Sequence, residues 1–195
     1  MTKPSGYRTI LIDAPTSIEQ TSPGKGAIEH YELLTMERLQ QLPVAELAAP
    51  DSHLYLWTTN AALEQSMALI RHWGFTPRSI LTWIKPRMGL GHYLRNTTEQ
   101  LLLATRGHAP VRFKGQPTWA FAPIQDHSHK PEEQFAIIER LSPGPYLELF
   151  ARRKPTSSEQ WDYWGNEVPS TISLLEFGWP APSDFDEQDV EEPRP

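Results

Sequence analysis

Asp13 is the carboxylate around which this chain invites a chemical reading. It follows the unbroken aliphatic run Ile10-Leu11-Ile12 and is followed by Ala14 and Pro15. Such a run predicts a short strand covered on both faces, the pattern of a parallel sheet. Pro15 lacks the N–H needed for a ladder and biases Ala14 towards an extended backbone, so the chain must leave the sheet there. Open α/β sheets bind ligands at the carboxyl ends of their strands, which is where this pattern puts Asp13. The plainer alternative is a turn or cap aspartate.

Other kinds of chemistry find little support. There is no cysteine among the 195 residues, so disulfides, thiolate metal sites and a cysteine nucleophile are excluded. Gly24-Lys25-Gly26 lacks the spacing of a phosphate-binding loop, and no strand is followed by Gly-x-Gly-x-x-Gly. No Gly-x-Ser-x-Gly elbow occurs. The seven histidines show no metal-ligand spacing, and His127-Ser128-His129 reads as a surface pair. No apolar run approaches the ~18 residues of a membrane helix, and the opening Met1-Thr2-Lys3-Pro4 has no signal-like apolar core. A cytoplasmic protein is expected.

The elements that must position Asp13 follow in order. A polar stretch from Ser17 to Glu29 reads as a loop beside the strand end. Thr35 caps a short helix from Met36 to Leu42. A strand from Ser52 to Thr59 precedes a helix that starts at Asn60, with Leu63, Met67 and Ile70 as its apolar stripe and Gly74 as its stop. Further strands are expected at Arg78–Lys85, Thr98–Thr105 and Tyr146–Phe150, and a helix opens at Lys130-Pro131-Glu132-Glu133. Gly107 to Pro123 reads as an insertion or surface ribbon. Strand–helix alternation implies an α/β fold with a mostly parallel sheet flanked by helices.

The formal charge of −6 is concentrated at one end. Asp184, Asp186, Glu187, Asp189, Glu191 and Glu192 leave eighteen acids and seventeen bases elsewhere once they and Arg194 are set aside. One folded domain over 1–168 and an extended or disordered acidic tail over 169–195 are expected, with Trp179 packing back as the exception. Lys85, Arg87, Arg95, Arg106, Arg112 and Lys114 either line a face for a nucleic-acid backbone or form an ordinary solvated surface.

Several separated stretches, taken together, resemble one family. They are Tyr7 to Pro15, His30-Tyr31, Leu54 to Thr59, Trp73-Gly74-Phe75, Leu81 to Pro86, and Ser128-His129-Lys130-Pro131. They continue with Ile138 to Gly144, Glu148-Leu149-Phe150-Ala151-Arg152 and Trp164-Gly165-Asn166-Glu167. The order and combination resemble the MT-A70 family of S-adenosylmethionine-dependent N6-adenine methyltransferases. The resemblance implies a permuted Rossmann-like fold, S-adenosyl-L-methionine as cofactor, and an adenine of DNA or RNA as substrate. A homo- or heterodimer is among the assemblies it implies.

The family signature Asp-Pro-Pro-Trp stands here as Asp13-Ala14-Pro15-Thr16. The resemblance implies that Asp13 and the Ala14 carbonyl accept the two hydrogens of the N6 amine, with catalysis by positioning and electrostatics. Thr16 supplies no ring where the family stacks tryptophan on the base, and base–aromatic stacking is worth about 1–3 kcal/mol. By the same resemblance Asp13, Lys85, Glu148, Phe150, Arg152, Asn166 and Glu167 bind cofactor. Tyr31, as a substitute ring, and Lys85 and Arg95, as bases, are the candidates for contact with substrate. Glu148 and Arg152 read alone are equally a surface ion pair. Two outcomes stay open: an active enzyme with an altered base clamp, or a weak or inactive relative serving as a cofactor- or nucleic-acid-binding subunit.

Overall fold

The computed structural model describes residues 6–16, 34–89, 93–125 and 129–185. Seven strands form one sheet in the order β5-β3-β4-β2-β1-β6-β7. They are β1 Tyr7–Ile12, β2 Ala48–Thr58, β3 Thr76–Ile84, β4 Thr98–Arg106, β5 Trp119–Phe121, β6 Tyr146–Leu149 and β7 Trp161–Trp164. β1 runs parallel to both neighbours, β2 and β6, and its Ile10, Leu11 and Ile12 are fully buried, as the aliphatic run predicts. This is a Rossmann-like sheet, mostly parallel and flanked by helices.

One strand departs from simple alternation. β4 is antiparallel to both β2 and β3, so β3 and β4 form a hairpin with no crossover helix among the described residues between them. Strand direction leaves no trace in hydrophobic period, which is why alternation alone suggested a parallel partner. β3, β2, β1, β5, β6 and β7 all run the same way, so their carboxyl ends share one rim with the start of β4.

The helices are α1 Met36–Gln40, α2 Val44–Leu47, α3 Leu63–His72 and α4 Glu133–Leu141. Thr35 caps α1, its hydroxyl accepting from the Arg38 N–H at 3.2 Å. α1 and α3 pack together over one face, where Leu39, Leu69 and Ile70 join Ile10, Ile12, Leu54 and Leu56 in one core. Phe135, Ile138 and Leu141 of α4 cover the other face, against Leu11, Tyr55, Trp57 and Trp161. α3 begins three residues later than expected, because Asn60 spends its amide on Thr98 and Gln100 rather than on capping. Gly74 does end α3, with φ +81.

The folded body runs past residue 168, a correction to the expected extent of the tail. Leu174, Trp179 and Ala181 are buried, and 3-10 turns form at Leu175–Phe177 and Pro182–Asp184. Trp179 meets Trp164 edge-on at 6.2 Å and Phe150 at 6.0 Å, with the Arg38 guanidinium 3.9 Å over its ring. The stretch Gly107 to Pro123, expected as an insertion, contributes β5 as the edge strand beside β3. Tyr31, His127, the loop from Ser17 and the acids beyond Phe185 lie outside the described residues.

Candidate active site

Asp13 stands at the carboxyl end of β1, where its backbone N–H still reaches the Leu149 carbonyl of β6 at 3.4 Å. The strand then breaks at Ala14 and Pro15, and the Pro15 carbonyl accepts from the Leu34 N–H at 2.9 Å. A bridge between Thr16 and Leu34 continues this pairing, so the segment after Asp13 is held against the start of α1.

Two lobes open on either side of Asp13. One is lined by Ala14, Thr16, Met36, Thr58 and Glu99, and the other by His129, Glu132, Glu148, Phe150 and Arg152. Asp13 and Lys130 belong to the walls of both. The Lys130 ammonium lies 2.9 Å from Asp13 Oδ1 and 3.4 Å from Glu99 Oε2, and 5.6 Å over the Trp57 ring. Lys85 holds the other Glu99 oxygen. Charges therefore alternate along the rim as Asp13, Lys130, Glu99, Lys85. Burial alone would raise the Glu99 carboxyl, but Lys130 and Lys85 on either side hold it below the ordinary carboxylate range.

Lys130 and Glu99 are the residues at the centre of the cleft to which sequence reasoning gave no role. Lys130 was legible as the opening of a helix and as part of the Ser128-His129-Lys130-Pro131 stretch, and Glu99 only as one residue of a strand. The signal that names them is mutual: a half-buried acid and two lysines rarely meet unless each neutralises the others.

The second lobe is acidic. Glu148 sits in β6, all four of whose residues are buried. Burial pushes its carboxyl up to about 8, Asp13 and Glu132 add to the rise, and Arg153 opposes it. Glu132 Oε1 meets His129 Nε2 at 2.5 Å, while its buried Oε2 has no hydrogen-bond partner. Glu148 is therefore no surface ion pair with Arg152. Arg152 Nε instead faces Glu167 Oε1 at 3.7 Å.

Local backbone brings that pair together. Phe150 adopts φ +65, a left-handed conformation that a bulky residue keeps only when its surroundings enforce it. Its ring is enclosed by Trp164 at 5.3 Å and by Trp179, and the turn delivers Arg152 to the cleft. After β7 the Gly165 backbone passes so close to Ala151 that an added Cβ would lie 1.9 Å from its carbonyl oxygen. Only glycine fits, and the contact places Asn166 and Glu167 beside the turn that carries Arg152.

The structure thus gathers Asp13, Ala14, Thr16, Glu148, Phe150 and Arg152 about one cleft, with Pro15 and Glu167 supporting its walls. Lys85 stands behind Glu99, its ammonium 4.7 Å over the Trp83 ring, outside both lobes. Arg95 and Asn166 are exposed on the rim and line neither lobe. A larger apolar groove of about 340 Å³ lies between β3, β4 and the 111–118 segment, and it contains none of these residues.

Known proteins resemble this chain in sequence. The MT-A70 family model matches residues 7–167. The Type II methyltransferase M.MunI of Mycoplasma sp is 32% identical over 143 residues, covering 71% of this chain and 60% of that protein. The N(6)-adenosine-methyltransferase catalytic subunit METTL3 of Homo sapiens is 29% identical over 180 residues, covering 87% of this chain and 29% of the relative. An N(6)-adenosine-methyltransferase MT-A70-like protein of Arabidopsis thaliana is 26% identical over 200 residues, with 97% and 28% covered. The chain spans about 60% of the bacterial relative and under a third of the eukaryotic ones. From the strand before Asp13 to the turn at Glu167, the chain belongs to the MT-A70 family.

Proposed function

We propose that this chain transfers a methyl group from S-adenosyl-L-methionine to the N6 amine of an adenine in DNA or RNA. The observation that carries the reading is the position of Asp13, at a β-strand end and in the shared wall of two lobes. One lobe suits a cationic cofactor and the other a planar base.

The acidic lobe fits the cofactor on its own chemistry. A sulfonium and an ammonium would lie beside Asp13, the buried Glu148 and the orphaned Glu132 Oε2, while Lys130 or Arg152 would meet the carboxylate. Glu167 offers acceptors for a ribose diol. When bound, the cofactor supplies an electrophilic methyl group.

The chain's own work is positioning. An adenine amine is a weak nucleophile because its lone pair is delocalised into the ring. Asp13 and the Ala14 carbonyl accept its two hydrogens and turn the lone pair out of the ring plane. Lys130 already engages Asp13 Oδ1, which leaves Oδ2 as the oxygen for the amine and for the proton it sheds. Fixing a nucleophile in line is worth several kcal/mol of barrier. Thr16 supports the base less firmly than a ring would.

The test is transfer of labelled methyl groups to single- and double-stranded DNA and RNA, with calorimetric cofactor binding alongside. Transfer that vanishes in Asp13→Ala supports the enzyme. Cofactor binding without transfer in the parent chain would move the reading to a non-catalytic subunit.

A further inference from the structure

The near-neutral charge of the body hides a sharp division. Between residues 65 and 125 stand eight bases, Arg71, Arg78, Lys85, Arg87, Arg95, Arg106, Arg112 and Lys114, against a single acid, Glu99. That acid is itself held by Lys85 and Lys130. This segment supplies most of α3 and all of β3, β4 and β5, the outer part of the sheet.

The same end of the sheet leaves rings exposed. Trp119 is 54% exposed and Phe121 63% exposed, and as alternate residues of β5 they project from one face. They are in register with Thr82 and Ile84 of β3, which in turn pair with Gln100 and Thr98 of β4. Polar side chains carry this face towards the cleft. The Thr82 hydroxyl donates to Gln100 at 2.7 Å, Gln100 donates to Asn60 at 2.8 Å, and Asn60 donates to Thr98 at 3.1 Å. Asn60 lies two residues beyond Thr58, which lines the lobe containing Thr16. Arg87 and Arg95 are exposed on the rim beside it.

We infer that the β5–β3–β4 face is a platform for single-stranded nucleic acid flanking the methylated adenine, with Trp119 and Phe121 stacking bases and Arg87 and Arg95 meeting phosphates. This rests on the nucleic-acid reading of the site and adds where the strand lies. Exposed rings among unopposed cations are the combination that binds single strands without regard to sequence. β5 is four strand spacings from β1, about 19 Å, within the ~4–16 nucleotides that one such surface covers. The platform also supplies aromatic surface that Thr16 does not.

The experiment measures binding and methylation of a labelled single strand of about 12 nucleotides with one central adenine, as DNA and as RNA. The Trp119→Ala/Phe121→Ala double variant is expected to bind about tenfold or more weakly, from the loss of base stacking. The defect appears in KM far more than in kcat, and shrinks as the strand is trimmed towards the adenine. Trp119→Phe, which keeps a ring, retains most of the affinity. Arg87→Ala/Arg95→Ala lowers the salt dependence of binding by about 1.4 in log–log slope, the value for two phosphate contacts on a single strand. Phe185→Ala, an exposed ring elsewhere, serves as the control.

Affinity of the double variant within twofold of the parent overturns the platform, as does a loss equally large for the trimmed strand. So does a parent that self-associates through this face, with the double variant becoming monomeric at unchanged nucleic-acid affinity. A parent that neither binds nor methylates any of these strands overturns the site reading and the platform together. A parent that methylates them while the double variant matches it overturns the platform alone.

Discussion

The two sides of Asp13 are built from different materials. Towards β6 and β7 the cleft is acidic, buried and tightly braced: Glu148 lies in a closed strand, Phe150 is locked in a left-handed turn, and Gly165 presses on Ala151. Towards β2 and α1 it is lined by Thr16, Met36 and Thr58, with no ring at the position where the family has tryptophan. One side is pre-organised for a ligand of fixed shape and charge. On the proposed reading, the other, where Trp57 is the ring in the wall, leaves much of the recognition to surfaces farther away. Chemistry that depends on both should therefore respond differently to changes on each side.

Five substitutions sharpen that contrast. Asp13→Ala touches both lobes and should lower kcat by about 10²–10³-fold, the cost of removing one pre-aimed polar group at a reacting centre. Lys130→Ala leaves Asp13 and Glu99 without their shared cation. It should reduce kcat/KM by about tenfold or more, with KM for cofactor and for nucleic acid both rising; a change confined to one ligand would show that Lys130 serves one lobe only. Thr16→Trp acts on the base side alone and should tighten substrate binding about fivefold or more through stacking, with cofactor affinity unchanged. Equal affinities would mean that a ring there finds no base.

Glu148→Gln acts on the lobe proposed for the cofactor and is read through pH. The folded carboxyl titrates near 8, above its unfolded range, so the protonated form stabilises the fold. That contribution is fully present below the unfolded carboxyl range and is lost as pH climbs through 8. Cofactor affinity should move the opposite way, rising up to about pH 8 as the carboxylate ionises to meet a cation. Glu148→Gln should flatten both slopes in melting curves and calorimetric titrations between pH 6 and 9. Slopes that survive the substitution would assign them to another group. On the same side, Gly165→Ala should destabilise the fold by about 1–3 kcal/mol, the range for forcing an added methyl group into packed structure.

Much of this was legible in the sequence where one residue type has one physical job. Ile10-Leu11-Ile12 followed by Asp13 and Pro15 marks a buried strand with a hard stop, and Gly74 ends its helix as a left-handed glycine should. Asn60 misled because a good capping side chain found better partners on a neighbouring strand, a tertiary choice that no local pattern records. β5 and β7 are three and four residues long and rich in aromatics, too short for alternation to declare them. Lys130 is a helix-opening residue and part of a family-like stretch by sequence, and a central charge by geometry. Trp179 was visible as a large ring in a polar tail, but its partners Phe150, Trp164 and Arg38 come from three other parts of the chain.

The reversal of β4 has an architectural consequence. A parallel neighbour would require the chain to return across the sheet, and such returns usually carry a helix that roofs the strands beneath. By turning back directly from β3 into β4, the chain omits that roof. α3 covers the inner strands of this face, and the exposure of its outer end, which bears Trp119 and Phe121, thus follows from connectivity rather than from any added element. A single change of strand direction converts what would have been interior wall into outward-facing ground, and the residues placed on it are free to be chosen for what lies outside the molecule.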